Sequence, residues 1–323
     1  MKSGPHSLAL MTLEFPWVAV DSQVPDHIDT GLRQIGPVVA PAPTEALYAP
    51  LSERAPFAGL TTRRDIPYGP DARHLLDVFA PDRAPGGRPI LVFVHGGAFI
   101  RGDRRIGDSP FNDNIAVWAA RHGMVGVNIT YRLAPTHGWP AAQNDIRQAL
   151  QWLGEHASEW GGDAGQIILM GHSAGAAHVA QYLAFPRFHL SQGAGIQGSV
   201  MLSGLFDPAT ADPNPPLRAY FGEDALRYAG MSAVPGLVAS AVPQLYAYAE
   251  LDPEDFARQA HQVAMAMRAA GKVPAVYQLN GHNHMSEIYA INTPDDALAK
   301  LLLGFVIAVT GQPLMKPEQA IRR

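Results

Sequence analysis

The chain has 323 residues, 47% of them apolar, with 24 Lys and Arg against 29 Asp and Glu (net charge −5) and no cysteine. Length and apolar fraction suit one large α/β core, and the charge offers nothing to nucleic acid or an anionic membrane. The lack of cysteine excludes disulfides, thiolate catalysis and cysteine-ligated metals. No apolar run is long enough to span a bilayer. At the start, Glu14 and Pro16 interrupt the apolar stretch and no small-residue cleavage site follows, which predicts a soluble cytoplasmic protein.

Residues 1–60 contain Pro37, Pro41, Pro43, Pro50 and Pro56, with room for one short helix within 22–35. They read as an N-terminal arm or partial lid over a domain of residues 61–323. Residues 61–66 and 75–79 alternate like strands around a Pro-Tyr-Gly-Pro turn and predict an antiparallel hairpin at a sheet edge. From residue 90 the pattern becomes strand, helix, strand, helix, the signature of a parallel sheet with helices on both faces. Strands are expected at 90–94, 124–130, 166–170, 199–202, 244–249 and 275–279. Helices are expected at 114–121, 140–155, 174–184, 255–270 and 295–309. Residues 208–240, with Pro213, Pro215 and Pro216, predict a small loop-rich insertion.

The most informative stretch is Gly171-His172-Ser173-Ala174-Gly175, between an apolar strand and an alanine-rich helix. Glycines two before and two after the serine allow chain to pass where a Cβ would clash. The turn lifts the hydroxyl above the sheet at the positive end of a helix, the arrangement of a nucleophile elbow.

A serine hydroxyl needs a base, and the base needs an orienting carboxylate. In this architecture both follow the serine, the acid first. After the strand at 244–249, Glu250, Asp252 and Asp255 compete. Glu250 is expected inside the strand and Asp255 in a helix's first turn, so Asp252 is the first choice. Downstream of Asp252 lie His261, inside a predicted helix, and His282 and His284 in the loop after the last strand. His284 is preferred as base, with His282 as a neighbour. No third ligand near these two histidines supports a metal. Acyl transfer also needs fixed N–H groups for the carbonyl oxygen's developing charge. His95-Gly96-Gly97-Ala98 follows a buried strand, and the N–H groups of Gly97, Ala98 and Ala174 are the candidates.

These pieces, together with Tyr131-Arg132-Leu133-Ala134-Pro135 and Asp252-Pro253, resemble the α/β-hydrolase superfamily, in particular the hormone-sensitive-lipase-like esterases and arylformamidases. They span about residues 60–310 in the family's order. The resemblance implies an α/β-hydrolase fold, no cofactor and often a homodimer. Asp252-Pro253 is similar to the esterases' acid motif, and residues 252–259 are similar to the equivalent stretch of kynurenine formamidases. The run His284-Met285-Ser286-Glu287 is similar to the one that follows the formamidases' histidine. Ala98 departs from the third glycine of many esterases, and the insertion is shorter than a lipase lid. The leading expectation is a carboxylic ester hydrolase (EC 3.1.1) acting on small or medium acyl or aryl esters. An arylformamidase using the same triad is the alternative, and a ligand-binding protein on this fold comes third. The expected partner is a small-molecule ester or amide, not nucleic acid or membrane.

Overall fold

The computed structural model describes residues 17–82, 86–295 and 297–314. Among them, nine strands form one sheet: β1 (Val18–Asp21), β2 (Leu60–Pro67), β3 (Leu75–Pro81), β4 (Arg88–Val94), β5 (Val125–Ile129), β6 (Gly162–His172), β7 (Gly198–Leu202), β8 (Gln244–Leu251) and β9 (Ala275–Asn283). Their order across the sheet is β1-β9-β8-β7-β6-β4-β5-β3-β2. β2 and β3 form the expected antiparallel edge hairpin, β3 runs antiparallel to β5, and the other pairings are parallel.

The helices are α1 (Asp26–Ile35), α2 (Pro41–Tyr48), α3 (Asp113–Arg121), α4 (Ala141–His156), α5 (Ala174–Ala184), α6 (Pro215–Phe221), α7 (Val234–Ala239), α8 (Glu254–Ala269), α9 (Ser286–Tyr289) and α10 (Ala297–Thr310). Every residue of β4 and β5 is buried, as expected of strands covered on both faces. The two-residue period divides them. Ile90, Val92, Val94, Ile167 and Leu169 pack with residues of α4, α5 and α8 in one core layer. Leu91, Phe93, Ile168 and Met170 pack with residues of α1, α3 and α10 in the other.

Three local expectations are corrected. The N-terminal arm is built into the fold: β1 pairs in parallel with β9, Val18 opposite Tyr277, and Ile28, Leu32 and Tyr48 are fully buried. Residues 1–16 of that arm, including the stretch read for a targeting signal, lie outside the described residues. The region 208–240 is more ordered than its prolines suggest. Pro215 occupies the first turn of α6, where a missing N–H costs nothing, and Asn214 caps that helix by accepting from Leu217 N–H at 2.8 Å. Finally, β9 continues past Leu279 to Asn283. Gly281 takes φ +76° there, and its N–H donates to Glu250 Oε2 at 2.7 Å. Among the described residues no helix is long and apolar enough to cross a membrane.

Candidate active site

β6 runs directly into Ser173, and α5 starts at the next residue. Ser173 has φ +56° and ψ −123°, a strained backbone for a residue with a Cβ. The flanking glycines are required by contact. A Cβ on Gly171 would lie 2.4 Å from the carbonyl oxygen of Gly175, and one on Gly175 would lie 2.0 Å from that of Val94. The turn is tied at both sides: Ser173 N–H donates to Leu202 O at 2.9 Å, and Ser173 O accepts from Ala177 N–H at 3.1 Å.

Asp252 and His284 meet although 32 residues separate them: His284 Nδ1 lies 2.7 Å from Asp252 Oδ1. Both are buried. Asp252 Oδ2 accepts from Ser203 Oγ at 2.6 Å and from Ala249 N–H at 2.8 Å. The carboxylate is thus fixed on three sides. Its contact with Nδ1 presents the proton there and leaves a lone pair on Nε2. His284 Nε2 is buried and hydrogen-bonds no described residue. Ser173 and His284 line one cavity of about 770 Å³, together with Gly96, Gly97, Ala98 and Ala174.

The rival acids are employed elsewhere. Glu250 reaches Arg33 and the N–H of Gly281. Asp255 pairs with Arg258 and accepts from Asp212 N–H. His282 lies near the end of β9, with Nδ1 3.0 Å from Ser286 Oγ and Nε2 3.3 Å from Asp295. Burial pulls its pKa below the usual imidazole range. His261 is in α8, where its Nε2 meets the Tyr248 hydroxyl at 2.8 Å.

The turn after β4 carries the candidate amide donors. Gly97 has φ +133°, and a Cβ there would lie 2.0 Å from Arg101 O. Ala98 takes φ +51°, a left-handed conformation that costs an alanine roughly 1–2 kcal/mol and a glycine nothing. The N–H groups of Gly97 and Ala98 make no hydrogen bond among the described residues. That of Ala174, at the first helical position of α5, has no intrahelical partner. The turn is braced from below. Tyr131 donates its hydroxyl proton to His95 O at 2.7 Å, and Ala134 N–H donates to Phe99 O at 3.0 Å. Arg132 pairs with buried Asp145, so the Tyr131–Pro135 stretch is a brace for the turn.

Sequence reasoning gave no role of their own to Ser203, His172 and Glu287, the last of which entered only within a family pattern. Ser203 has φ +43° just after β7, and His172 and Glu287 are fully buried around His284. Their only signal is position, since each ends a strand or follows the histidine by one helical turn. Donor atoms of His172, His284 and Glu287 lie within 4.8 Å of one another. However, His172 Nε2 faces the carbonyl oxygen of His284 at 2.8 Å. That nitrogen therefore carries a proton and has no lone pair for a metal.

This geometry defines a protein class: a strand–serine–helix elbow and a buried Asp–His pair opening on one cavity. Residues 76–192 match the model of the BD-FAE family. Esterase LipQ of Mycobacterium tuberculosis (strain ATCC 25618 / H37Rv) is 30% identical over 248 residues, covering 70% of this chain and 58% of LipQ. Phenmedipham hydrolase of Pseudarthrobacter oxydans is 32% identical over 167 residues, 49% of this chain and 31% of that protein. The matches span less than two thirds of the length of these curated relatives. Among solved structures, esterase B from Lactobacillus rhamnosis superposes with a TM-score of 0.68 at 16% identity, over 88% of this chain and 95% of the other. The chain has the α/β-hydrolase fold.

Proposed function

We propose that the protein is a serine carboxylic ester hydrolase that acts on small or medium acyl or aryl esters. The carrying observation is the Asp252–His284 pair opening onto the cavity that also holds the strained Ser173. In this reading His284 Nε2 takes the Ser173 hydroxyl proton as Oγ attacks the ester carbonyl. The N–H groups of Gly97, Ala98 and Ala174 receive the developing oxyanion. Asp252 holds the imidazole tautomer and stabilises the imidazolium. His284 then returns the proton to the leaving alkoxide, and a water repeats the cycle on the acyl-enzyme. The hydrogen bond from Ser173 to Nε2 forms as substrate is bound, since such contacts are often long in a free enzyme. The relatives' names, LipQ an esterase among them, favour an ester as substrate.

The cavity is lined by Leu205, Pro216, Phe256, Ile288 and Tyr289, and its size suits an aryl or medium acyl group. The reading includes a cytoplasmic enzyme with no cofactor and, as a point for sedimentation to test, a homodimer. The deciding experiment is turnover of p-nitrophenyl esters of rising acyl length beside N-formylkynurenine, with Ser173→Ala as control. Ester turnover that Ser173→Ala reduces by several orders of magnitude is expected. A variant keeping a tenth of wild-type activity removes Ser173 as nucleophile. Faster turnover of the formamide reassigns the enzyme as an arylformamidase, and no turnover of either points to a binding protein. EDTA should leave the rate unchanged; a loss restored by a divalent metal overturns the serine route.

A further inference from the structure

Beside the Asp252–His284 pair lies a second buried carboxyl that the proposed mechanism does not use. Glu287 is in α9, one turn beyond His284, and is fully buried. No Arg or Lys pairs with it among the described residues. The nearest basic group to it among the described residues is His172, with Nε2 3.2 Å from Oε1. That imidazole is neutral, because burial takes its pKa down to about 4. Its Nε2 proton is already aimed at His284 O, 2.8 Å away. Neither Glu287 oxygen has a well-formed hydrogen bond among the described residues. The hydroxyl beside it belongs to Ser203, whose own proton goes to Asp252 Oδ2.

The titratable groups facing Glu287 are therefore His172 from the end of β6, Asp252 from the loop after β8 and His284 from the adjoining turn. Two carboxylates in one buried site cannot both ionise without a cation. Asp252 accepts three hydrogen bonds, from Ser203, Ala249 and His284, while Glu287 accepts none of good geometry. The negative charge belongs on Asp252 and the proton on Glu287. Burial, then the charge of Asp252, hold the Glu287 carboxyl well above the usual range.

We propose that Glu287 is a positioning residue for the hydrolysis, kept as the neutral acid so that it supports Ser203 and His172 while Asp252 remains the one anion facing His284. The proposal rests on the Ser173–His284–Asp252 reading. Glu287 acts by two routes. Its O–H turns toward the lone pairs of Ser203 Oγ, which orients that hydroxyl on Asp252. Its Oε1 lies against His172 Nε2–H, the group that holds the backbone carbonyl of His284.

The test compares Glu287→Gln, a neutral isostere, with Glu287→Ala, reading kcat, KM and the pH profile of kcat/KM on p-nitrophenyl acetate. Glu287→Gln is expected to keep kcat within about threefold, with the acid limb of the profile unmoved. Glu287→Ala is expected to lower kcat by about tenfold or more with KM nearly unchanged. If Glu287 works as an anion, its removal lowers the pKa of His284. Glu287→Gln then falls as far as Glu287→Ala and the acid limb moves to lower pH, which overturns the proposal. An alanine variant with wild-type kcat overturns it as well. If the alanine variant does not fold, infrared spectroscopy decides: wild type at pH 7 should show a protonated-carboxyl stretch that Glu287→Gln lacks. A wild type without that band refutes the neutral acid. This readout needs no turnover, so a protein that hydrolyses no ester leaves the protonation of Glu287 tested while the triad reading alone fails.

Discussion

At the residue scale, the site turns on which acid and which histidine face each other. With Nδ1 of His284 2.7 Å from Asp252, His284→Ala should remove nearly all turnover, and Asp252→Asn should cost about 10³–10⁴ in kcat, because an amide permits the wrong tautomer. Glu250→Gln and Asp255→Asn lose only contacts to Arg33, Arg258 and backbone amides, so both should keep most activity. The double variant Asp252→Asn with His284→Ala should be hardly slower than His284→Ala alone, since the acid has no role without its histidine. Steady-state kinetics of the set check this, and losses that multiply separate the two residues. The elbow was legible because its requirement is local: Gly171 and Gly175 are fixed by clashes within one turn. The acid could only be ranked from sequence, because what singles out Asp252 is the approach of Ser203 and His284 from other strands. Glu287 was read as part of a family pattern. Its surroundings exist only once β6, β7, β8 and β9 lie side by side.

At the element scale, the turn after β4 is held by an ion cluster as well as by Tyr131. Buried Asp77 on β3 accepts from Arg104 Nε at 2.8 Å and Arg64 Nη1 at 2.9 Å, and Arg64 also reaches Asp113 at the start of α3. Arg104 and Arg105 both pair with Asp65. Asp77→Ala would leave buried Arg104 with only the exposed carboxylates of Asp65 and Asp103, and breaking a buried pair from one side costs about 3–5 kcal/mol. Urea unfolding should show that loss as a lower midpoint. A shift under about 1 kcal/mol means the cluster is solvated and holds nothing. Parallel strands such as β4 and β6 were legible as continuous apolar runs. β1 was not, because its four residues are exposed or half-buried and only their pairing with β9 makes them a strand. The helices of the 208–240 region were hidden by prolines that serve at helix starts.

At the scale of the whole molecule, three histidines are enclosed as neutral groups. Burial takes His95 and His172 down to about 4 and His178 to about 3. His178 has no hydrogen bond on either ring nitrogen among the described residues and packs among Phe99, Tyr131 and Tyr220. Well above pH 6.5 all three are neutral whether the chain is folded or not, so they add no pH dependence there. As pH falls from about 6.5 toward 4, the unfolded chain binds protons that the folded one refuses, and stability drops by roughly 3 kcal/mol per histidine at the low end. Urea midpoints measured between pH 7 and 4 should fall steadily, and less steeply in His178→Phe. A flat profile shows that these rings take up protons while folded.

The pairing of β1 with β9 also sets a timetable. Asp21 and Asn280, bonded across that edge, are 259 residues apart. At a ribosome's pace of about 5–20 residues per second, the strand made first waits on the order of ten seconds to a minute for its neighbour. Until then the nascent chain has an open β8 edge and no His284. β9 fills the gap between β1 and β8 and leads straight into His284, so a polypeptide interrupted before residue 284 lacks the proposed base and leaves the β8 edge open to stray pairing.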